Sequence, residues 1–329
     1  MTTTTALTAP ARPRRTGAVR GLVRATLRLH RSALWFWLML VTVAAGALLW
    51  LYGYALDAAF AEFTRAGCHE GGVRRACEYS VSDFHSLGTT EAVGRNLIGL
   101  VPLLTAVWAG GALIGRELEK GTAQLAWTQS VSPARWLAAQ LAVPAALLVT
   151  GTGLLTLLHR LMWDKHAALW GSMGTWEWQQ SSYYTANGTL SPAYALLGLA
   201  VGALAGMVVR RSLAAVGIAA VSLMTLMSVL GDLRPHLWPV ETVTRRAGYP
   251  QVTGMVVRDG VITSTGSRVP DPYCNYTECR ATRDVVGYFR DYHPASHFWP
   301  LQLVETGIVL ALAAAATAAA FWLLRRRTV

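Results

Sequence analysis

One short segment holds residue types that could do chemistry. HRLMWDKH at 159–166 carries two histidines, an aspartate and a lysine, which are side chains used in metal sites and in acid–base catalysis. His159 and His166 are seven residues apart, however, and the H-E-x-x-H pattern of zinc proteases is absent. The segment borders an apolar run, so polar side chains at a membrane interface are the favoured interpretation.

The sequence lacks the P-loop, which is a common motif for binding the phosphates of ATP. The only two lysines are Lys120 and Lys165, and neither lies in a G-x-x-x-x-G-K-[ST] loop, so the chain cannot bind ATP in that manner. A G-x-S-x-G nucleophile motif is absent too. We therefore expect a non-catalytic chain that carries no cofactor or metal of its own.

Two polar residues fall inside the last apolar run, Gln302 and Glu305. A carboxylate within a membrane is costly, and it is usually paired or functional. We expect Glu305 to pair with Arg95 or to meet interfacial water, and a direct role in binding substrate or protons is the weaker alternative.

The elements that must position these residues are membrane spans. Hydrophobic residues make up 53% of the 329-residue chain and charged residues only 14%, which is unlike a soluble domain. Six apolar runs are long enough to cross a bilayer, at 33–56, 97–115, 136–158, 192–209, 213–231 and 299–324. The fourth run contains Gly198, Gly202 and Gly206, whose spacing suits close packing of helices in lipid.

Charge orients the spans. The segments on the side of both termini, together with 116–135 and 210–211, hold 15 Lys and Arg against two acids, whereas the opposite side holds 14 basic and 15 acidic residues. Cytoplasmic loops carry the excess of positive charge, so both termini are predicted inside. The net charge of +11 then serves attraction to anionic lipid rather than to nucleic acid.

All four cysteines fall on the predicted exterior, as an oxidising compartment allows. They are Cys68, Cys77, Cys274 and Cys279. Of the three possible pairings we favour the local ones, Cys68 with Cys77 and Cys274 with Cys279, and a zinc site is the alternative.

The remaining segments complete the organisation. Residues 1–14 are predicted as a disordered tail, and 15–31 as an amphipathic helix in the plane of the interface. The aromatic segment at 159–191 is predicted to be re-entrant or to lie along the membrane interface, and a substrate-binding aromatic patch is the weaker alternative. Segment 232–298 is predicted as a small extracellular α+β cap, with a hairpin turn at Asp259-Gly260 and a short helix near 281–291.

One charged segment, 115–135, interrupts the apolar sequence between the second and third spans. Gly121 predicts a break after RELEK, Thr122 a helix cap, and Pro133 the start of the next span. A helix of about two turns is predicted at 123–129. An ordinary polar loop is the alternative.

These residues resemble a known family. The string Glu117-x-Glu119-x-Gly121-Thr122, followed by Ser132-Pro133-x-Arg135-Trp136, resembles the E-x-E-x-G-T … P-x-x-R loop of ABC-2-type permeases, the membrane subunits of one class of ATP-binding-cassette exporters. RRSLAAVGIA after the fourth run and YHPASHFWPLQLVETGIVLAL at 292–312 are similar to the actinobacterial members.

The resemblance implies an all-α membrane protein of a bacterial plasma membrane, with six transmembrane helices, two ATPase partners that bind ATP and Mg, and a second permease subunit. It further implies that the loop couples to the ATPase through six residues, Glu117, Glu119, Gly121, Thr122, Leu125 and Arg135. The first five transmembrane helices are predicted within 32–231. The sixth transmembrane helix and the basic cytoplasmic tail are predicted at 299–329. A secondary transporter and a membrane-bound enzyme are the alternatives; for the enzyme, the spans show no cluster of polar residues at one depth.

Overall fold

The computed structural model of the protein describes residues 15–65, 82–128, 131–170, 176–271 and 284–328. Within these residues, six helices are long and apolar enough to cross a membrane: Arg31–Arg65, Gly88–Glu119, Pro133–Trp170, Leu190–Val209, Ser212–His236 and Ala295–Arg327. Each contains one predicted span, which confirms the prediction of six membrane helices. The predicted tail at 1–14 and all four cysteines lie outside the described residues.

The described residues up to 170 form the helices α1 (Arg15–Leu29), α2 (Arg31–Trp50), α3 (Leu56–Arg65), α4 (Ser82–Trp108), α5 (Arg116–Glu119), α6 (Thr122–Thr128) and α7 (Pro133–Trp170). π-helical stretches join α2 to α3 at Leu51–Ala55 and α4 to α5 at Ala109–Gly115. The helix predicted at 15–31 is α1, followed by a turn at His30. Its placement in the membrane interface stays a prediction.

The second half forms α8 (Ser181–Ala186), α9 (Leu190–Val209), α10 (Ser212–Leu233) and α11 (Phe298–Thr328). We call the end of the bundle that carries α5, α6 and Ser212 the loop end. The opposite end carries a β-sheet between α10 and α11, and we call it the sheet end.

The shortest span, α9, is the central one. In its most apolar stretch 67% of residues are buried, against 22% in the first, fifth and sixth spans. Its small residues explain this position, because a Cβ on Gly198 or Gly202 would meet the backbone carbonyl of Pro102 or Ala106 on α4. The predicted glycine packing surface is therefore confirmed, and bare backbone lets the two helices approach closely.

The sheet has four antiparallel strands, β1 (Glu241–Arg245), β2 (Met255–Thr263), β3 (Arg268–Val269) and β4 (Val285–His293). Their order across the sheet is β1-β4-β2-β3. The sheet is anchored to the helices at the end of β4, where buried His293 donates from Nε2 to the carbonyl oxygen of Pro235 at 2.9 Å. This contact lies one residue from Arg234.

Two predictions within this cap are wrong. Asp259 and Gly260 lie inside β2, paired with Arg290 and Phe289 of β4, and not in a turn. Gly260 is there because a side chain would collide with the carbonyl of Val269 and the ring of Phe289. The turn comes later, at Gly266, whose φ of 79° is in the left-handed region that favours glycine.

The helix predicted near 281–291 is a strand over its described part. β4 runs through Val285–His293 and pairs on both sides. β-branched and aromatic residues in this run, such as Val285, Tyr288 and Phe289, favour the strand.

Candidate functional site

At the loop end, α6 is a seven-residue helix between the second and third spans. Gly121 separates it from α5, with a left-handed φ of 72°. Thr122 does not cap α6 as predicted, because it is already the first helical residue. Its hydroxyl instead donates to the Oε2 atom of Glu117 at 2.6 Å and so ties α6 back to α5.

Glu119 joins this segment to a distant span. Its Oε2 atom accepts hydrogen bonds from the backbone nitrogen of Ser212 at 2.9 Å and from the Ser212 hydroxyl at 2.6 Å. Ser212 is the first residue of α10, whose free N–H groups attract a carboxylate. Glu119, one of the six residues that the family resemblance assigns to ATPase coupling, thus caps the fifth span.

A pair of tryptophans holds α6 to the third span. Trp127 of α6 and Trp136 of α7 meet edge to face, with ring centroids 5.7 Å apart. The Ser132 hydroxyl caps α7, accepting from the backbone nitrogen of Arg135 at 3.4 Å. The Arg135 side chain is exposed beside this junction.

The outer face of α6 is open. Leu125 is 61% exposed, and Gln124 and Thr128 are exposed with it, whereas Ala123 is buried against the bundle. Helix α6 thus presents Leu125 to its surroundings between polar side chains, while contacts with α5 and α7 fix it to the bundle.

At the sheet end, Glu305 is fully buried in an ion pair. Arg234 donates to it twice, from Nε to Oε2 at 2.7 Å and from Nη2 to Oε1 at 3.0 Å, and the Tyr194 hydroxyl donates to Oε1 at 2.8 Å. The predicted pairing with Arg95 is wrong. The partner of Glu305 is instead Arg234, which directly follows α10. From sequence, this position is assigned to the exterior.

Arg95 has its own acid. Its Nε atom lies 3.0 Å from Oε1 of Glu91, one helical turn earlier on α4. Glu91 is 1% exposed, and Nε2 of buried His159 lies 3.5 Å from its Oε1 atom. His159 donates from Nδ1 to the amide oxygen of Asn187 at 2.6 Å. His159 is therefore buried within the protein, and its depth relative to the membrane interface stays a prediction.

Four consecutive residues of α8 contact both ion pairs. Ser182 and Tyr183 contact Arg95, with the guanidinium 4.3 Å from the centre of the Tyr183 ring. Ser181 and Tyr184 contact Arg234, whose guanidinium lies 4.1 Å from the Tyr184 ring. We call these residues, 181–184, the clasp.

The clasp is itself fixed and uncharged. Gln302 is buried and donates from Nε2 to the backbone oxygen of Tyr184 at 2.5 Å. Burial, followed by the nearby carboxylates, raises the pKa of both tyrosines, so they stay neutral beneath the guanidinium groups. Segment 159–191 is predicted from sequence to lie along the membrane interface, and that prediction did not anticipate these buried contacts.

The spans therefore do contain a cluster of polar residues at one depth, contrary to the sequence-based statement. This cluster is not evident from the sequence because the second and third membrane helices are longer than the predicted spans. Glu91 and His159 therefore belong to these helices and not to the loops between them. The four-residue spacing of Glu91 and Arg95 was a readable signal. Among the described residues, no group of three or more His, Cys, Asp and Glu side chains is placed to hold a metal ion.

A family profile described as "ABC-2 membrane transporter related" matches residues 39–234. This match covers more than half of the chain and includes the loop end and the clasp. The chain belongs to that family. Searches of curated proteins and of solved structures found no match.

Membership in the ABC-2 family settles the general class. The chain is a multi-pass protein of a bacterial plasma membrane and a permease component of ABC transporters. Such permeases work with ABC ATPase subunits. The resemblance seen in the loop sequence is confirmed; the actinobacterial origin stays a prediction.

Proposed function

We propose that this chain is the membrane subunit of an ATP-driven exporter of hydrophobic or amphipathic molecules. Separate ATPase subunits, which carry ATP and Mg, dock on α6, and a second permease subunit completes the transport pathway. The loop end faces the cytosol, as its positive charge favours. The observation that carries the proposal is the exposed Leu125 on a short helix bonded to two spans.

Movement of α6 has a defined route into the membrane. The bond between Thr122 and Glu117 passes a displacement to α5, and the bonds between Glu119 and Ser212 pass it to α10. The π-helical stretch Ala109–Gly115 lies directly before α5. π-helical turns are frequent at functional sites, and this one is placed where α5 must pivot against α4. Closure of the ATPases would then shift α5, α6 and α10 as a body.

The test is the variant Leu125→Glu, with co-purification of the ATPase and ATP-dependent efflux as measurements. Burying a leucine contributes about 1.5–3 kcal/mol, and an interfacial glutamate adds a desolvation cost. Each 1.4 kcal/mol changes affinity about tenfold, so ATPase binding should fall at least about tenfold. Because Leu125 is exposed, the fold should be unaffected.

Leu213→Glu is the matched control. Leu213 is 84% exposed at the same end of the bundle, on α10 rather than α6. This variant should retain ATPase binding and efflux. Equal loss in both variants, or normal binding in Leu125→Glu, would rule out α6 as the docking element.

A further inference from the structure

A cavity of about 890 Å³ lies at the loop end, outside the clasp and the α6 face. Its walls come from α1, α2, α4, α7 and the π-helical stretch before α5, and its rim includes residues of α5, Thr122 of α6 and Val216 of α10. Most of the lining is apolar, with Trp37, Leu40, Val101, Trp108 and Leu148 among its members. Sites for small molecules have volumes of roughly 300–1,000 Å³ and are likewise mostly apolar.

The cavity follows α4 and the π-helical stretch before α5, and its ionisable lining residues lie at one end only. Its lining extends along one wall from Val101 to Arg116, which spans about 22 Å at the helical rise per residue. The hydrocarbon of one leaflet is about 15 Å deep, which is half of a bilayer core. The ionisable lining residues, His30, Arg116, Glu117 and Lys120, all lie at the loop end.

Two of these groups are available to a ligand. Arg116 and Lys120 are exposed, and neither has an ion pair or side-chain hydrogen bond within the part of the chain that the structure describes. The Glu117 carboxylate is occupied by the Thr122 hydroxyl. Burial lowers the pKa of His30, which leaves it neutral at pH 7. The mouth therefore presents two unpaired cations beside one hydrogen-bonded carboxylate, which leaves it with a net positive charge.

The side of the cavity is open at apolar residues. Phe36 is 50% exposed and Leu104 39% exposed, and both belong to the lining. An acyl chain can enter between these side chains from the surrounding lipid, while its headgroup stays level with Arg116 and Lys120.

We propose that this cavity binds an anionic phospholipid, with an acyl chain along the apolar walls and the phosphate group between Arg116 and Lys120. The length of the cavity, its apolar walls and the two cations at one end favour this occupant over a neutral lipid. The lipid proposal does not depend on an ATPase partner. The lipid site can therefore be absent in a working exporter subunit, and it can be present even if the chain is not an exporter subunit.

The test uses the purified full chain in detergent, with native mass spectrometry to count bound lipid during titration with phosphatidylglycerol or phosphatidylcholine. The wild type should bind phosphatidylglycerol more tightly. Arg116→Gln with Lys120→Gln should weaken phosphatidylglycerol binding by about tenfold or more, since each cation near an anionic surface contributes about 1 kcal/mol. Binding of phosphatidylcholine should change little.

Two further variants complete the test. Arg211→Gln with Arg326→Gln removes two exposed arginines at the same end that do not line the cavity, and it should leave binding unchanged. Ala112→Trp fills the cavity and should lower the binding of both lipids. Equal phosphatidylglycerol binding by the two double variants would overturn the proposal. So would cross-linking of Phe36→Cys between two copies of the chain, because a second copy would then cover the opening.

Discussion

Removal of Arg234 should destabilise the protein more than removal of the whole ion pair. In Arg234→Met, the fully buried Glu305 keeps only the Tyr194 hydroxyl as a partner. Breaking one side of a buried pair costs about 3–5 kcal/mol, because a charge is left without compensation. In the double variant with Glu305→Leu no charge remains, and the unpaired Tyr194 hydroxyl costs about 1–3 kcal/mol.

The free energy of unfolding should be measured in detergent by SDS titration, with tryptophan fluorescence as the signal. The double variant should be more stable than Arg234→Met, with a coupling energy of at least about 1 kcal/mol. Asp164→Asn is the control, because its ion pair with Arg160 is partly exposed and such pairs contribute under about 1 kcal/mol. Additive losses in the double variant would refute the assignment of Arg234 and Glu305 as one coupled unit.

Three further predictions concern other parts of the molecule. Gly202→Val should cost about 1–3 kcal/mol or more by overpacking α9 against α4, whereas Gly217→Val, where no neighbouring atom lies within 4 Å, should be nearly neutral in the same unfolding measurement. Glu119→Ala should leave ATPase co-purification intact but lower efflux, because α6 keeps its exposed face while α5 loses its bond to α10; normal efflux would exclude this route. Gln124→Cys should react with a membrane-impermeant maleimide only after cells are opened, with the wild type as background, and labelling of intact cells would place the loop end outside.

The spans were predictable because apolar length alone defines them, and so was the close packing of α9, because glycines at four-residue spacing indicate contact between helices. The break at Gly121 was readable for a similar reason, since a glycine after a charged helical run ends the helix. Each of these features depends on residues close together in sequence.

Contacts between distant residues were beyond the same reasoning. Arg234 and Glu305 are 71 positions apart, and nothing in either neighbourhood indicates the other. Likewise, nothing in the sequence around Ser212 indicates that it donates hydrogen bonds to Glu119. The error at Asp259-Gly260 has the same origin: the dipeptide is typical of a turn, but the pairing of β2 with β4 makes it the interior of a strand.

The two ends of the bundle are connected through spans that carry polar anchors at both ends. α10 begins at Ser212, which is held by Glu119, and ends next to Arg234, which is held by Glu305 and the clasp. If α10 moves as a rigid helix, a shift at its loop end strains the ion pair at its other end. The close-packed side chains around α10 cannot absorb such a shift by gradual deformation. The buried pair at the sheet end is thus placed to resist the movement that an ATPase would impose on α6. Weakening that pair should therefore change how readily the loop end moves, even though Arg234 and Glu305 touch no partner there.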